Sequence, residues 1–275
     1  MAHASINGVS LFYDEHGSGE AVLLHHGYTG SHDAYDEVVP HIAKRYRAIR
    51  MDGRGAGDSD RSAKGHSIEQ YAADVIGMAD HLGLERFTYI GHSMGGVIGY
   101  ELGLSYADRL NKLVLIAPAP ADGVSVPVSF RERAANLHYG KETSRLIEES
   151  MILSAQPRSR ELVEARIQRG LSVSDAHYEE SWAALESYHK GDRLATIKTP
   201  TLMVAGAADG LLPANLADFQ RLGNATLHVF SRVSHGIPYE VPDEFSEVVM
   251  DFLEHGVVTA MTLQVKLREA MAPAH

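Results

Sequence analysis

Residues 91–95 read Gly91-His92-Ser93-Met94-Gly95, between the apolar run Phe87-Thr88-Tyr89-Ile90 and the helix-like Gly96-Val97-Ile98. A serine at a strand-to-helix junction sits on a strained turn, so its hydroxyl projects clear of the backbone. Side chains at 91 and 95 would collide with the neighbouring strand and helix, which accounts for glycine at both. The helix that begins behind Ser93 turns its positive end toward any negative charge forming nearby. Ser93 is the candidate nucleophile.

Upstream, Val9-Ser10-Leu11-Phe12-Tyr13 predicts a strand and His16-Gly17-Ser18-Gly19-Glu20 a turn. Ala21-Val22-Leu23-Leu24 is wholly apolar, the mark of a strand covered on both faces. It runs into His25-His26-Gly27-Tyr28-Thr29-Gly30. The paired histidines have no further His or carboxylate at ligand spacing, so no metal site is expected. Residues 33–44 predict a helix and 46–51 the next strand. The stretch Asp52-Gly53-Arg54-Gly55-Ala56-Gly57-Asp58-Ser59 makes a tight polar turn. It lacks the G-K-[ST] ending of a phosphate loop and reads as structural. Ile68, Tyr71, Ala72, Val75, Ala79 and Leu82 recur at helical spacing, and Gly83 closes that helix. After the elbow come a helix to about residue 109 and the strand Lys112-Leu113-Val114-Leu115-Ile116.

Between residues 121 and 190 the strand-like runs stop. Four amphipathic helices are expected there, over 130–137, 142–153, 160–171 and 175–188, punctuated by Pro157 and Gly170. Alternation resumes with the strand Thr201-Leu202-Met203-Val204-Ala205 and the turn Gly206-Ala207-Ala208-Asp209-Gly210. A helix over 213–222, a strand over 226–230, the loop Ser234-His235-Gly236 and a helix over 242–254 follow. Beyond Gly256, Leu263, Val265 and Leu267 alternate with polar residues as in an edge strand, yet the same residues also suit a helix. The end, Ala272-Pro273-Ala274-His275, is expected to fray. The reading is an α/β protein with a mostly parallel, doubly wound sheet. Residues 1–120 and 191–275 form its core, and 121–190 are an inserted helical block.

In such a sheet the loops after the strands gather at one edge, which brings Tyr28, Ser93, Asp209 and His235 together. A serine hydroxyl needs a base to take its proton, and histidine suits the role because its ordinary pKa lies near 6.5. The base in turn needs a carboxylate on its other nitrogen. The chain order Ser93, Asp209, His235 is the one that accompanies a nucleophile elbow. Asp122 is a rival acid, but Asp209 directly follows a strand and is presented at the sheet edge. The backbone N–H groups of Tyr28 and Met94 are the expected oxyanion donors. His25 and His92 read as supporting residues.

Taken together, these motifs resemble those of the α/β-hydrolase fold superfamily over residues 5–255. His26-Gly27 resembles its oxyanion loop, Asp52 to Ser59 its D-x-R-G-x-G-x-S turn, and Gly91 to Gly96 its elbow, with Asp209 and His235 in the acid and histidine positions. The resemblance implies that 121–190 is a helical cap over the site, and it implies no cofactor. In resembling families the dehalogenases and epoxide hydrolases carry aspartate at the elbow, so serine disfavours both. The expected activity is cleavage of a small or medium carboxylic ester or lactone through an acyl-enzyme. A carbon–carbon bond hydrolase and a cofactor-free haloperoxidase or perhydrolase use the same three residues and stay open. So does a ligand receptor that retains the triad. Within the cap, His138, Tyr139, Tyr178, Trp182 and Tyr188 are the expected pocket walls.

The bulk composition sets limits. With 275 residues, 44% of them hydrophobic and 22% charged, the chain is long enough to bury a large core. Its net charge of −11 opposes binding to nucleic acid or an anionic membrane, which call for a basic face. No apolar run is long enough to span a bilayer. The absence of cysteine excludes disulfides, cysteine nucleophiles and thiolate metal sites. Residues 1–8 carry neither the basic nor the apolar region of a secretory signal, so a cytoplasmic location is the expectation, with a processed secreted form as the alternative; the small-molecule substrate is what the resemblance implies.

Overall fold

The computed structural model describes residues 2–154, 156 and 158–271; Pro157 and the Ala272-Pro273-Ala274-His275 end lie outside the described residues. Eight strands, β1 (Ala2–Ile6), β2 (Val9–His16), β3 (Ala21–His25), β4 (Arg47–Met51), β5 (Phe87–His92), β6 (Leu110–Ile116), β7 (Thr201–Gly206) and β8 (Ala225–Phe230), make one sheet. Their spatial order is β1-β2-β4-β3-β5-β6-β7-β8. The β1–β2 and β2–β4 pairs are antiparallel, and every pair from β4 to β8 is parallel.

Parallel neighbours need crossover connections, so helices fill the gaps between strands. They are α1 (Val39–Ile42), α2 (Ile68–His81), α3 (Met94–Ser105), α4 (Val128–Tyr139), α5 (Thr143–Leu153) and α6 (Arg160–Leu171). The series continues with α7 (Asp175–Ser187), α8 (Leu212–Arg221), α9 (Ile237–Glu240), α10 (Pro242–His255) and α11 (Ala260–Met271). Successive residues of the central strands point to opposite faces. Leu23, Tyr89, Leu113 and Met203 therefore join Tyr71 and Val75 of α2 and Val97 and Ile98 of α3 in one buried cluster. Val22, Leu24, Ile90, Val114 and Val204 face the other way and pack with Val39 of α1 and Phe245, Val249 and Phe252 of α10. The sheet is covered on both sides, as its unbroken apolar runs require.

Three sequence expectations change. Residues 33–44 are not one helix: a 3₁₀ turn at His32–Tyr35 precedes the single turn of α1. Pro40 lies in the first turn of α1 and has no N–H to give, which breaks any helix entering from upstream. Strand β1 was not foreseen, because it is an edge strand paired only with β2 and shows no two-sided apolar run. The segment after Gly256 resolves to a helix, α11. A lone strand would leave its N–H and C=O groups unpaired, whereas a helix satisfies its own. Thr259 starts it, its hydroxyl accepting the Thr262 N–H at 3.3 Å.

The registers fix where the site can form. His25 stands beside Gly91, Gly91 beside Leu115, Leu115 beside Met203 and Met203 beside Leu227. Strands β3, β5, β7 and β8 thus end on one edge, and the chain leaves each of them there.

Candidate active site

Ser93 joins β5 to α3 with φ 55° and ψ −111°. For a residue with a Cβ this conformation costs on the order of 1–3 kcal/mol and persists only where the surroundings impose it. The two flanking glycines impose it. A Cβ on Gly91 would lie 2.1 Å from the Gly95 carbonyl oxygen, and one on Gly95 would lie 2.6 Å from that of His25. Backbone thus packs on backbone at the turn. The Ser93 N–H still donates to the Ile116 carbonyl at 2.8 Å, continuing the ladder.

The loops after β7 and β8 are stitched together. Ala207 N–H donates to the Phe230 carbonyl and Ala208 N–H to that of Val233, both at 2.9 Å. This brings the Asp209 carboxylate to 2.8 Å from His235 Nδ1. Its other oxygen accepts the Leu211 N–H at 3.0 Å. Burial alone would raise the Asp209 pKa, but the bonds and charge from His235 together with the Leu211 bond outweigh it, and the carboxyl is held below its ordinary value. Asp209 is 5% exposed in its side chain and His235 41%, so the acid is enclosed while the imidazole opens outward. Asp122 is engaged elsewhere, in an ion pair with Arg221 at 2.6 Å.

The adjacent histidines are architectural. His25 Nδ1–H donates to the His26 carbonyl at 2.9 Å and His26 Nδ1–H to the Gly27 carbonyl at 2.7 Å. His26 Nε2 then accepts the Gly53 N–H at 3.0 Å, tying the loop after β3 to the polar turn. Burial pushes His25 down to about 3 and lowers His26, so both rings stay neutral near pH 7. The grouping of His32, Asp52 and Asp58 places potential ligand atoms within 4.8 Å of one another. Those atoms already have partners. Asp52 accepts the His32 and Asp58 N–H groups at 2.6 and 2.7 Å and pairs with His32 Nδ1 at 2.8 Å, and Asp58 pairs with Arg169. It is an internal ion-pair chain.

Tyr28 follows Gly27 at the mouth of the site. Its phenol donates to the Tyr178 carbonyl at 2.6 Å, so the hydroxyl is spent on α7 rather than offered to a ligand. Among the described residues, nothing accepts the Tyr28 or Met94 N–H.

Ser93, His92, His235 and Tyr28 line one cavity of about 510 Å³, roofed by residues of α4 to α7. Leu137, Leu146, Leu153, Val163, Ile167 and Leu171 make its apolar wall. His138 and Tyr178 line it, with their rings stacked 3.8 Å apart. Tyr139, Trp182 and Tyr188 do not line it. Tyr139 points outward, 48% exposed, to Glu179. Trp182 borders a small side cavity behind Tyr28, and its indole N–H donates to Glu186. Tyr188 is buried against Glu101. A helix presents only one stripe to the cavity, and aromatic type alone does not reveal which. The same reasoning missed Arg166 and Tyr239, both cavity-lining. Arg166 falls three residues after Val163 and four before Gly170 on α6, both cavity-lining, and that inward phase was the available signal. Among the described residues, no carboxylate pairs with it, whereas Arg133 and Arg169 are paired with Glu149 and with Asp33 and Asp58.

Comparison with known proteins agrees with this fold. The alpha/beta hydrolase fold family matches residues 20–242. A 2-hydroxy-6-oxo-6-phenylhexa-2,4-dienoate hydrolase of Comamonas testosteroni is 30% identical over 272 residues, covering 92% of this chain and 94% of that protein. A non-heme haloperoxidase of Rhodococcus erythropolis is 30% identical over 267 residues, covering 90% and 97%. The structure of Est816, described as an N-acyl homoserine lactone degrading enzyme, superposes with a TM-score of 0.79 at 26% identity, covering 91% of this chain and 100% of that one. The chain belongs to the alpha/beta hydrolase fold family.

Proposed function

We propose that this chain is a serine hydrolase that cleaves a small or medium carboxylic ester or lactone through an acyl-enzyme. One observation carries the reading: a strained-turn serine and a carboxylate-held histidine open into the same cavity. The Ser93 oxygen attacks the carbonyl carbon while His235 Nε2 takes its proton. Asp209 holds Nδ1–H in place and stabilises the imidazolium. The N–H groups of Tyr28 and Met94 receive the oxyanion. His235 then protonates the departing alkoxide, and water activated by the same ring releases the acid. Residues 121–190 act as the cap that shapes the acyl pocket, with the apolar wall taking a hydrocarbon chain.

A second reading, carbon–carbon bond hydrolysis of a carboxylate-bearing ketone, is favoured by Arg166. Among the described residues it is a cavity-lining cation with no carboxylate partner, unlike Arg133 and Arg169, and is suited to an anionic substrate group. The Comamonas relative is named for a dienoate, a substrate of that kind.

The test is a panel of p-nitrophenyl esters and lactones of graded acyl length beside a 2-hydroxy-6-oxo dienoate, run with Ser93→Ala and a fluorophosphonate probe. Ester or lactone turnover lost by on the order of 10⁵-fold in Ser93→Ala supports the first reading. Turnover confined to the dienoate supports the second. Absence of multiple turnover on every member counts against both and favours a receptor or a perhydrolase.

A further inference from the structure

His92 is the unspecified residue before the serine in the pentapeptide, yet its ring is buried and meets both loops that the proposed chemistry requires. Its Nε2 lies 2.8 Å from the backbone carbonyl of His235. A carbonyl only accepts, so Nε2 carries the proton. Burial, reinforced by the nearby His235 ring, pushes His92 down to about 3, so the ring is neutral near pH 7 and has only that proton to give. The two imidazole centroids are 4.9 Å apart. On the ring's other side lies the oxyanion loop. A Cβ built on Gly27 would come within 3.2 Å of His92 Nδ1 and 3.0 Å of Ser93 Cβ. One rigid ring, a single residue from the nucleophile, therefore abuts both the Gly27–Tyr28 segment and the loop of His235.

We propose that His92 is a positioning residue whose Nε2–H, donated to the His235 carbonyl, sets the placement of the base relative to the Ser93 hydroxyl. The inference rests on the serine-hydrolase reading above. The neutral ring does not exchange protons with substrate; it acts through His235. Misplacing a reacting group by 1 Å costs on the order of 100-fold in rate, so a bond that fixes this loop is felt in turnover.

Three variants of the full chain separate the donor from the bulk. His92→Phe keeps a ring and removes the donor. His92→Gln keeps a donor near the Nε2 position, and His92→Asn carries one that is too short to reach. The readouts are kcat and KM on a p-nitrophenyl ester, the rate of fluorophosphonate labelling, and Tm. His92→Phe and His92→Asn are expected to lose about 10- to 100-fold in kcat and in labelling rate, with KM within about twofold. His92→Gln is expected to stay within about threefold of wild type on both. A purely structural role would move Tm without this split. Wild-type kcat in His92→Phe or His92→Asn overturns the proposal, and so does His92→Gln as slow as His92→Phe. Should His92→Phe fail to fold, the Gln and Asn variants decide between themselves, and equal rates overturn it. A wild-type enzyme that takes no label at Ser93 refutes the serine-hydrolase reading itself, and with it this one, and that result needs no variant.

Discussion

The guanidinium carbon of Arg166 lies 3.3 Å from the centroid of the Tyr239 ring. Stacking on an aromatic face holds the cation in place while leaving its N–H groups available. Tyr239 comes from α9, just after the His235 loop, so the ring that holds the cation belongs to the same stretch of chain as His235. If substrates carry a carboxylate, Arg166→Met should lower kcat/KM for the anionic substrate relative to a matched neutral ester. The expected loss is about 10- to 100-fold, the worth of one charge-assisted bond. Equal effects on the charged and neutral members would exclude carboxylate recognition at this position.

Asp209 and Asp122 are separated by their partners, the first bonded to His235 and the second to Arg221. Asp209→Asn keeps the shape but stabilises the wrong imidazole tautomer, and should lower kcat by on the order of 10³- to 10⁴-fold. Asp122→Asn should leave kcat near wild type. Steady-state rates of the two variants on one ester give the comparison. The reverse ranking would move the acid to Asp122.

Stability should depend on pH through His32. Burial opposes charging of this ring, but bonds to Asp33 at 3.0 Å and Asp52 at 2.8 Å, and the charges of both, raise its pKa to about 9. The folded value lies above the unfolded value of 6.5, so this contribution is fully present below pH 6.5 and is lost as pH rises through 9. His25 acts with the opposite sign. Its folded value of about 3 lies below 6.5, so the unfolded chain gains the proton first and stability falls as pH drops from 6.5 toward 3. Thermal melts of wild type should therefore peak near neutrality. In His32→Gln the alkaline fall in Tm between pH 7 and 10 should shrink by on the order of several degrees. An unchanged alkaline limb would remove His32 as its origin.

Gly57 has φ +55°, and a Cβ there would sit 2.1 Å from the Asp52 carboxyl carbon. Asp52 is fully buried and cannot withdraw without breaking its bonds to His32 and Asp58. Gly57→Ala should cost at least about 2 kcal/mol, from the strained backbone and the displaced carboxylate together. Gly210 has an ordinary φ and open space around it, so Gly210→Ala should change stability by less than about 0.5 kcal/mol. Urea midpoints of the two variants measure the contrast.

The sequence by itself determined the sheet's buried centre and named the candidate residues of the site. Runs such as Val22 to Leu24 and Leu113 to Ile116 read as strands covered on both faces, and a serine between Gly91 and Gly95, after such a run and before a helix, reads as a sharp turn. Spacing along the chain carries that information, because it is local. What local spacing does not carry is which side of a helix meets which loop. That is why Tyr139, Trp182 and Tyr188 fall away from the cavity while Arg166 and Tyr239 enter it. Edge strand β1 was hidden, and the tail after Gly256 was left open between strand and helix, for a related reason: neither is buried on two faces and so neither leaves an unbroken apolar run. Only tertiary structure joined Asp209 to His235, His92 to the His235 carbonyl and Tyr28 to α7. Contacts between residues 26 to 150 positions apart are decided by how strands and helices stack, and no run of neighbouring residues encodes them.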